Sequence, residues 1–393
     1  MIFKHSACRI GLCFWLSILI TPPTAIAQTT QPTEPTDQPA YWLARAGHSI
    51  EGIDDPSDRD YTRLTRAQAL AALARSAYDL GDISRYHTAI QAAGAYAAQI
   101  TDEQLRNEAR WSLAEALAGG GRFEEAQRRV DAIPGPVTRA LARMTIAVAH
   151  ARLGHRTDYQ RISAAAEKTL ADASATHDPD APFDDAGWAW WSLVDARLQA
   201  DDTTGALALA DHLPHPADLT AALASISEKQ AELGNKPAAT ATLDRAQKSL
   251  HRLQAELKEN PDTFADTDAA YAALARAHAA LGRREQADEM LARVDMTDVQ
   301  AENLSACAVH LARLGQTSQA RDALARARAL LDNPNQQRWI DHWSWFEVSQ
   351  NSTLAGDNRA TTRWIDSLED PTPRALAELG VLRGVIERDK QNP

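Results

Sequence analysis

The sequence predicts an all-α protein built from stacked helical hairpins, and three observations carry that prediction. From Thr62 onward Ala, Leu, Arg, Glu and Gln dominate, and apolar residues recur at three and four, the spacing of an amphipathic helix. Turn residues punctuate the chain at Gly81, Gly121, Gly154, Asp201, Gly234, Gly282, Gly315 and Gly356, separated by 40, 33, 47, 33, 48, 33 and 41 residues. Taken in pairs these separations repeat near 80, the mark of a stacked array. Aligning the chain on those turns then superposes like on like.

The chain opens on a basic head (Lys4, His5, Arg9), an apolar run from Ile10 to Ile20, the helix-breaking Thr21-Pro22-Pro23 and the small-x-small Ala25-Ile26-Ala27. This reads as a secretory signal over 1–27, too short to span a bilayer, and it predicts a periplasmic or secreted product starting near Gln28. Residues 28–60, rich in Pro, Thr and acidic groups, read as a flexible leader. Its four aspartates between Gly52 and Asp60 lack the spacing of a calcium loop. The repeat domain then runs over 61–393.

Each hairpin repeats one arrangement. Eight residues before the turns stand Leu73, Leu113, Ile146, Leu193, Ile226, Leu274, Cys307 and Val348, followed by a mostly small residue, as at Ala74, Ala114, Ser227 and Ala308. Alanine recurs five after the turn at 126, 206, 239, 287 and 320. A large residue fills the space between two helices, a small one lets them approach, and a turn glycine ends the first helix in a left-handed cap. Thr101 with Gln104 and Thr297 with Gln300 read as capping boxes, and Pro136, Pro216 and Pro373 suit first helical turns. A final helix from Thr372 to Arg388 reads as a solvated C-terminal cap.

This pattern, clearest in Trp111–Pro134 and Tyr271–Val294, resembles the tetratricopeptide repeat over about Thr62 to Arg388. It departs from it at Arg110 and Arg143, where the first large residue is missing, at Asp201, and at Tyr86, Tyr159 and Thr361, which replace the late alanine. The resemblance implies a right-handed superhelix whose first helices line a concave groove for a protein or peptide. By offset, the groove would present Arg75, Asp79, Trp111, Glu115, Arg152, Trp191, Asp195, Glu228, Glu232, Arg276, Arg313, Phe346 and Gln350. Unequal repeat lengths point to an open coil rather than a closed ring.

Composition narrows the function. Residues 1–27 hold no acidic group, so losing Lys4 and Arg9 moves the formal charge from −12 to −14. That balance lacks the basic footprint for nucleic acid. No later stretch is apolar enough to span a membrane, and Cys307 alone remains after the signal, as a small core residue. His150, His278 and His310 near three helix ends lack a metal-binding pair, so no metal or cofactor is expected. Asp178, Asp180, Asp184 and Asp185 before Trp188 resemble a glycan-cleaving pair but read as an exposed loop. Trp190 and Trp345 fall on a core position, while Trp339 and Trp343 belong to a second aromatic cluster. The sequence thus predicts an exported non-catalytic scaffold with an unidentified protein partner, the alternative being an all-helical enzyme or binder of cell-wall glycans.

Overall fold

A computed structural model describes residues 37–53, 58–174, 185–213, 215–259, 267–333 and 340–391. Among them are eighteen helices and no strand. In chain order these are α1 (Pro39–Glu51), α2 (Arg59–Asp79), α3 (Ile83–Gln99), α4 (Glu103–Gly119), α5 (Phe123–Asp131) and α6 (Pro136–Arg152). There follow α7 (Arg156–Ser174), α8 (Asp185–Gln199), α9 (Thr203–Ala210), α10 (Pro216–Glu232), α11 (Lys236–Glu259) and α12 (Thr267–Ala280). The last six are α13 (Arg284–Leu291), α14 (Thr297–Arg313), α15 (Thr317–Leu331), α16 (Trp343–Leu354), α17 (Asn358–Ser367) and α18 (Pro371–Gln391). The signal segment 1–27, the start of the leader, the loop with Asp178, Asp180 and Asp184, and Trp339 lie outside the described residues, as do the side chains of Asp185 and Trp188.

The turns behave as their residues dictate. All seven turn glycines adopt positive φ between 74° and 81°, and Asp201 takes the same conformation at 58°. The small residues seven before the turns, such as Ala74, Ala114, Ser227, Ala275 and Ala308, are fully buried where each hairpin's helices cross. The caps differ from expectation. Asp102 caps α4 by accepting from Leu105 N at 2.9 Å, and Thr101 instead donates to Asp60. Gln300 reaches the Leu291 carbonyl rather than its own helix start.

Even-numbered helices form an inner layer in which α2, α4, α6, α8, α10, α12, α14, α16 and α18 each pack on the next, and α18 packs back on α2. The contacts therefore make a closed cycle, where the repeat lengths pointed to an open coil. Each inner helix is backed by an outer one, and α18 is backed by α1. Asp37 lies by Arg388, Arg45 by Glu378 and Gly52 by Pro371, so α1 runs antiparallel to α18. The two chain ends thus build a ninth hairpin between them.

Two expectations are corrected by this closure. The reading of residues 28–60 as flexible leader fails over 39–51, where Trp42, Leu43, Ala46 and Ile50 present one buried face. The spacing of these four, at three and four, was there to be read, but the surrounding Pro and acidic residues outweighed it. The reading of α18 as a solvated cap also fails. Its Leu376, Leu379, Leu382 and Val385 are core, and Glu378, Arg383 and Glu387 are buried with them.

Candidate functional site

Inner helices turn one stripe of side chains toward the centre of the ring. At about 100° per residue, the middle of that arc falls on positions thirteen, nine, six and two before each turn. The position ten before lies at its edge, toward a neighbouring helix. Three expected groove residues change role accordingly. Phe346 is 1 % exposed and Trp111 8 %, while Trp191 is half-buried against the core. Gln350 is also buried, and donates to Glu387 at 2.9 Å. Phe346, Trp111 and Trp191 are packing residues, whereas Gln350, six before its turn, lies on the inner stripe and bonds the neighbouring inner helix α18.

The charged members of the expected set do converge. Arg276 on α12 donates from Nε to Glu228 on α10 at 2.9 Å and also reaches Asn303 on α14. His310 on α14 meets Glu228 at 2.8 Å, and Arg313 donates to Glu232 at 3.1 Å. On the opposite arc, Arg383 of α18 bonds both Asp79 of α2 and its own Glu387. Arg75 lies 3.6 Å from Asp79, and Arg152 donates to Gln199 of α8 at 3.2 Å. Asp195 accepts from Gln199 at 2.7 Å.

Residues the offset missed complete the wall. Glu302 and Trp343 stand thirteen before their turns and Glu347 nine before, so extending the helical stripe by two further positions would have found them. Glu302 accepts from Ser344 at 2.6 Å, and the Trp343 indole N–H donates to Gln68 of α2 at 3.3 Å. His310, Arg383 and Glu387 were reachable only with the closed geometry in hand.

The enclosure sets the protonation of these groups. Burial pushes Asp195 up to about 6, and it pushes Glu347 well above the carboxylate range, with Glu302 and Glu387 adding repulsion. Glu108, at the same thirteen-before position on α4, is pushed by burial up to about 7. Elsewhere arginines overcome burial: Arg276 and His310 draw Glu228 down to about 2, and Arg383 with Arg75 does the same for Asp79. Desolvation, with Arg75 and Arg383 nearby, lowers Arg152 to about 10.

The other candidates resolve into packing. His150 stacks on Phe123 at 3.7 Å between ring centres, and His278 lies by Gln247 of α11. Neither joins His310 at the inner wall. Trp190 stacks on His212 and Trp345 is 3 % exposed, as their core positions predict. Burial pushes the Cys307 thiol up to about 12. Among the described residues no helix is long and apolar enough to cross a membrane. No protein-family profile matches this chain, and no curated protein resembles it in sequence.

Proposed function

We propose that this chain is a non-catalytic binding protein whose ligand is a small cationic or polar molecule held at the charged centre of the ring. The observation that carries the reading is the approach of Asp195 of α8, Glu302 of α14 and Glu347 of α16 at the ring's centre, where Glu302 and Asp195 both oppose the ionisation of Glu347. An acid whose ionisation its surroundings oppose gains most from a cation arriving beside it. The inert Cys307 thiol and the arginine-paired state of Glu228 and Asp79 favour binding over chemistry. The basic head and small-x-small end of residues 1–27 support export of the protein.

Thermal unfolding of the purified chain with a polyamine, an amino sugar, a neutral oligosaccharide or a dicarboxylate tests this. The amine-bearing compounds should raise the melting temperature of the parent but not of the Asp195→Asn, Glu347→Gln double variant. Equal shifts in both proteins, or none in the parent, would sink the reading.

A second reading keeps the protein partner that the resemblance to tetratricopeptide repeats implies, and moves it to the rim. Leu80, Leu153, Leu233 and Leu314 each directly precede a turn glycine and remain 37–46 % exposed. Four leucines at one register position, with Ile83 beside them, form a broken apolar collar on the turn side of the ring.

A further inference from the structure

On α10, Glu228 and Glu232 stand one helical turn apart, and His310 of α14 lies over them across 82 residues of chain. One carboxylate oxygen of each glutamate and one ring nitrogen of His310 all fall within 4.8 Å of one another. We propose that Glu228, Glu232 and His310 form a binding site for a divalent first-row metal ion of the zinc or manganese type.

The bonding around the three residues is that of a site with its outer partners already in place. Glu228 Oε2 is held by Arg276 Nε at 2.9 Å, leaving Oε1 turned to His310 Nε2 at 2.8 Å. Glu232 Oε1 is held by Arg313 at 3.1 Å, while its Oε2 is buried with no hydrogen-bond partner. The Glu232 side chain is only 2 % exposed, so that orphan oxygen costs free energy unless something meets it. Each carboxylate therefore offers one oxygen inward and has the other fixed by an arginine, the role that outer hydrogen bonds play in orienting metal ligands.

The donor set selects the ion. One imidazole with two carboxylates suits zinc, manganese or ferrous iron, whereas calcium and magnesium prefer oxygen ligands throughout. Three protein ligands leave a coordination position for water or for another molecule. The two arginines offset the two glutamates, and Asp195 also interacts with Arg276, leaving negative charge beside the site. On binding, the ion would displace the proton shared between His310 and Glu228, which leaves to solvent, and take up the free oxygen of Glu232. Neither arginine need move.

This inference deepens the reading of the ring's centre as a ligand site and rests on it, but the two fail separately. Metal-stripped protein is titrated with Zn²⁺ and with Mn²⁺ by calorimetry, and with Co²⁺ by visible absorption. The expected result is one ion per chain, a raised melting temperature and a Co²⁺ ligand-field band. Glu232→Gln and His310→Gln should each weaken binding by at least the roughly 10–100-fold that loss of an outer partner alone costs. His278→Gln, a buried histidine elsewhere, should leave it unchanged. Absence of stoichiometric binding by the parent, or equal affinity in parent and Glu232→Gln, overturns the site. Retained binding in the Asp195→Asn, Glu347→Gln variant separates metal binding from the amine-binding reading. Circular dichroism of the near-isosteric Glu232→Gln confirms that lost binding is not lost fold.

Discussion

Arg45 on α1 donates its Nε proton to Glu378 on α18 at 2.6 Å, although 333 residues of chain separate the two. The same guanidinium bonds Asp366 of α17 and lies over the Trp42 ring. Glu378 is 1 % exposed and pairs with no other charged group among the described residues, so the arginine is what permits a carboxylate there. Closure of the ring is thus specified by a partly buried ion pair on top of an apolar face. Removing one member strands the other. Arg45→Ala should cost about 3 kcal/mol, measured by urea unfolding, and the isosteric Glu378→Gln in the same background should restore part of it.

The close approach of α18 to α16 depends on two glycines four residues apart. A Cβ at Gly380 would lie within 3 Å of the Phe346 carbonyl oxygen, and one at Gly384 would lie 2.8 Å from the Gln350 carbonyl oxygen. Backbone cannot yield as a side chain does. Gly380→Ala should lose about 1–3 kcal/mol despite its gain in helix propensity, read as a lowered urea midpoint. Gly94→Ala, on outer helix α3 with open space around it, should be neutral or stabilising.

Stability should fall on both sides of a maximum near pH 4–5. Asp79 and Glu228 are drawn down to about 2, so the folded chain holds fewer protons on them than the unfolded one. Their stabilisation is complete above about pH 5 and is lost as pH falls toward 2. Asp195, pushed up to about 6, and Glu108, pushed up to about 7, work the other way. Folding binds protons to them, so stability declines as pH rises from about 4 to 7. Asp195→Asn should flatten that decline by about 1–3 kcal/mol in urea unfolding at pH 7 relative to pH 4.5. A parent whose stability climbs steadily from pH 4 to 7 would contradict the assignment.

Leu153 is 46 % exposed at the rim. Leu153→Lys should change unfolding free energy by no more than about 0.5 kcal/mol. If an apolar partner docks on the collar, the same substitution should release it, which co-sedimentation with a candidate partner would register.

Much of the fold was legible because each hairpin is a local unit. The period of the turns, the small residues at helix crossings and the left-handed Asp201 all follow from short stretches of chain. Even the departures from the repeat have a local substitute. Tyr86 replaces the late alanine and packs its hydroxyl against Gly120 of the next hairpin, and Tyr159 donates to Asp202 at 2.9 Å. Closure was not legible, since it needs a sum of small rotations over nine hairpins and a helix hidden in an acidic leader. The site inherited both properties. Its charged residues fell on a helical stripe that spacing could find, whereas the Glu228–His310 and Asp79–Arg383 pairings exist only because the stripe bends back on itself.

The ring depends on α1 and α18 forming one hairpin that seals the inner wall. Spin labels at exposed Gln38 and Asp389, with buried Cys307 left unlabelled, address it by electron double resonance. Packed helices lie about 10 Å apart between axes, so a closed ring predicts one short, narrow distance once the label arms are added. A long or broad distribution would mean that α1 does not back α18, and that the inner carboxylates face an open groove instead of a closed centre.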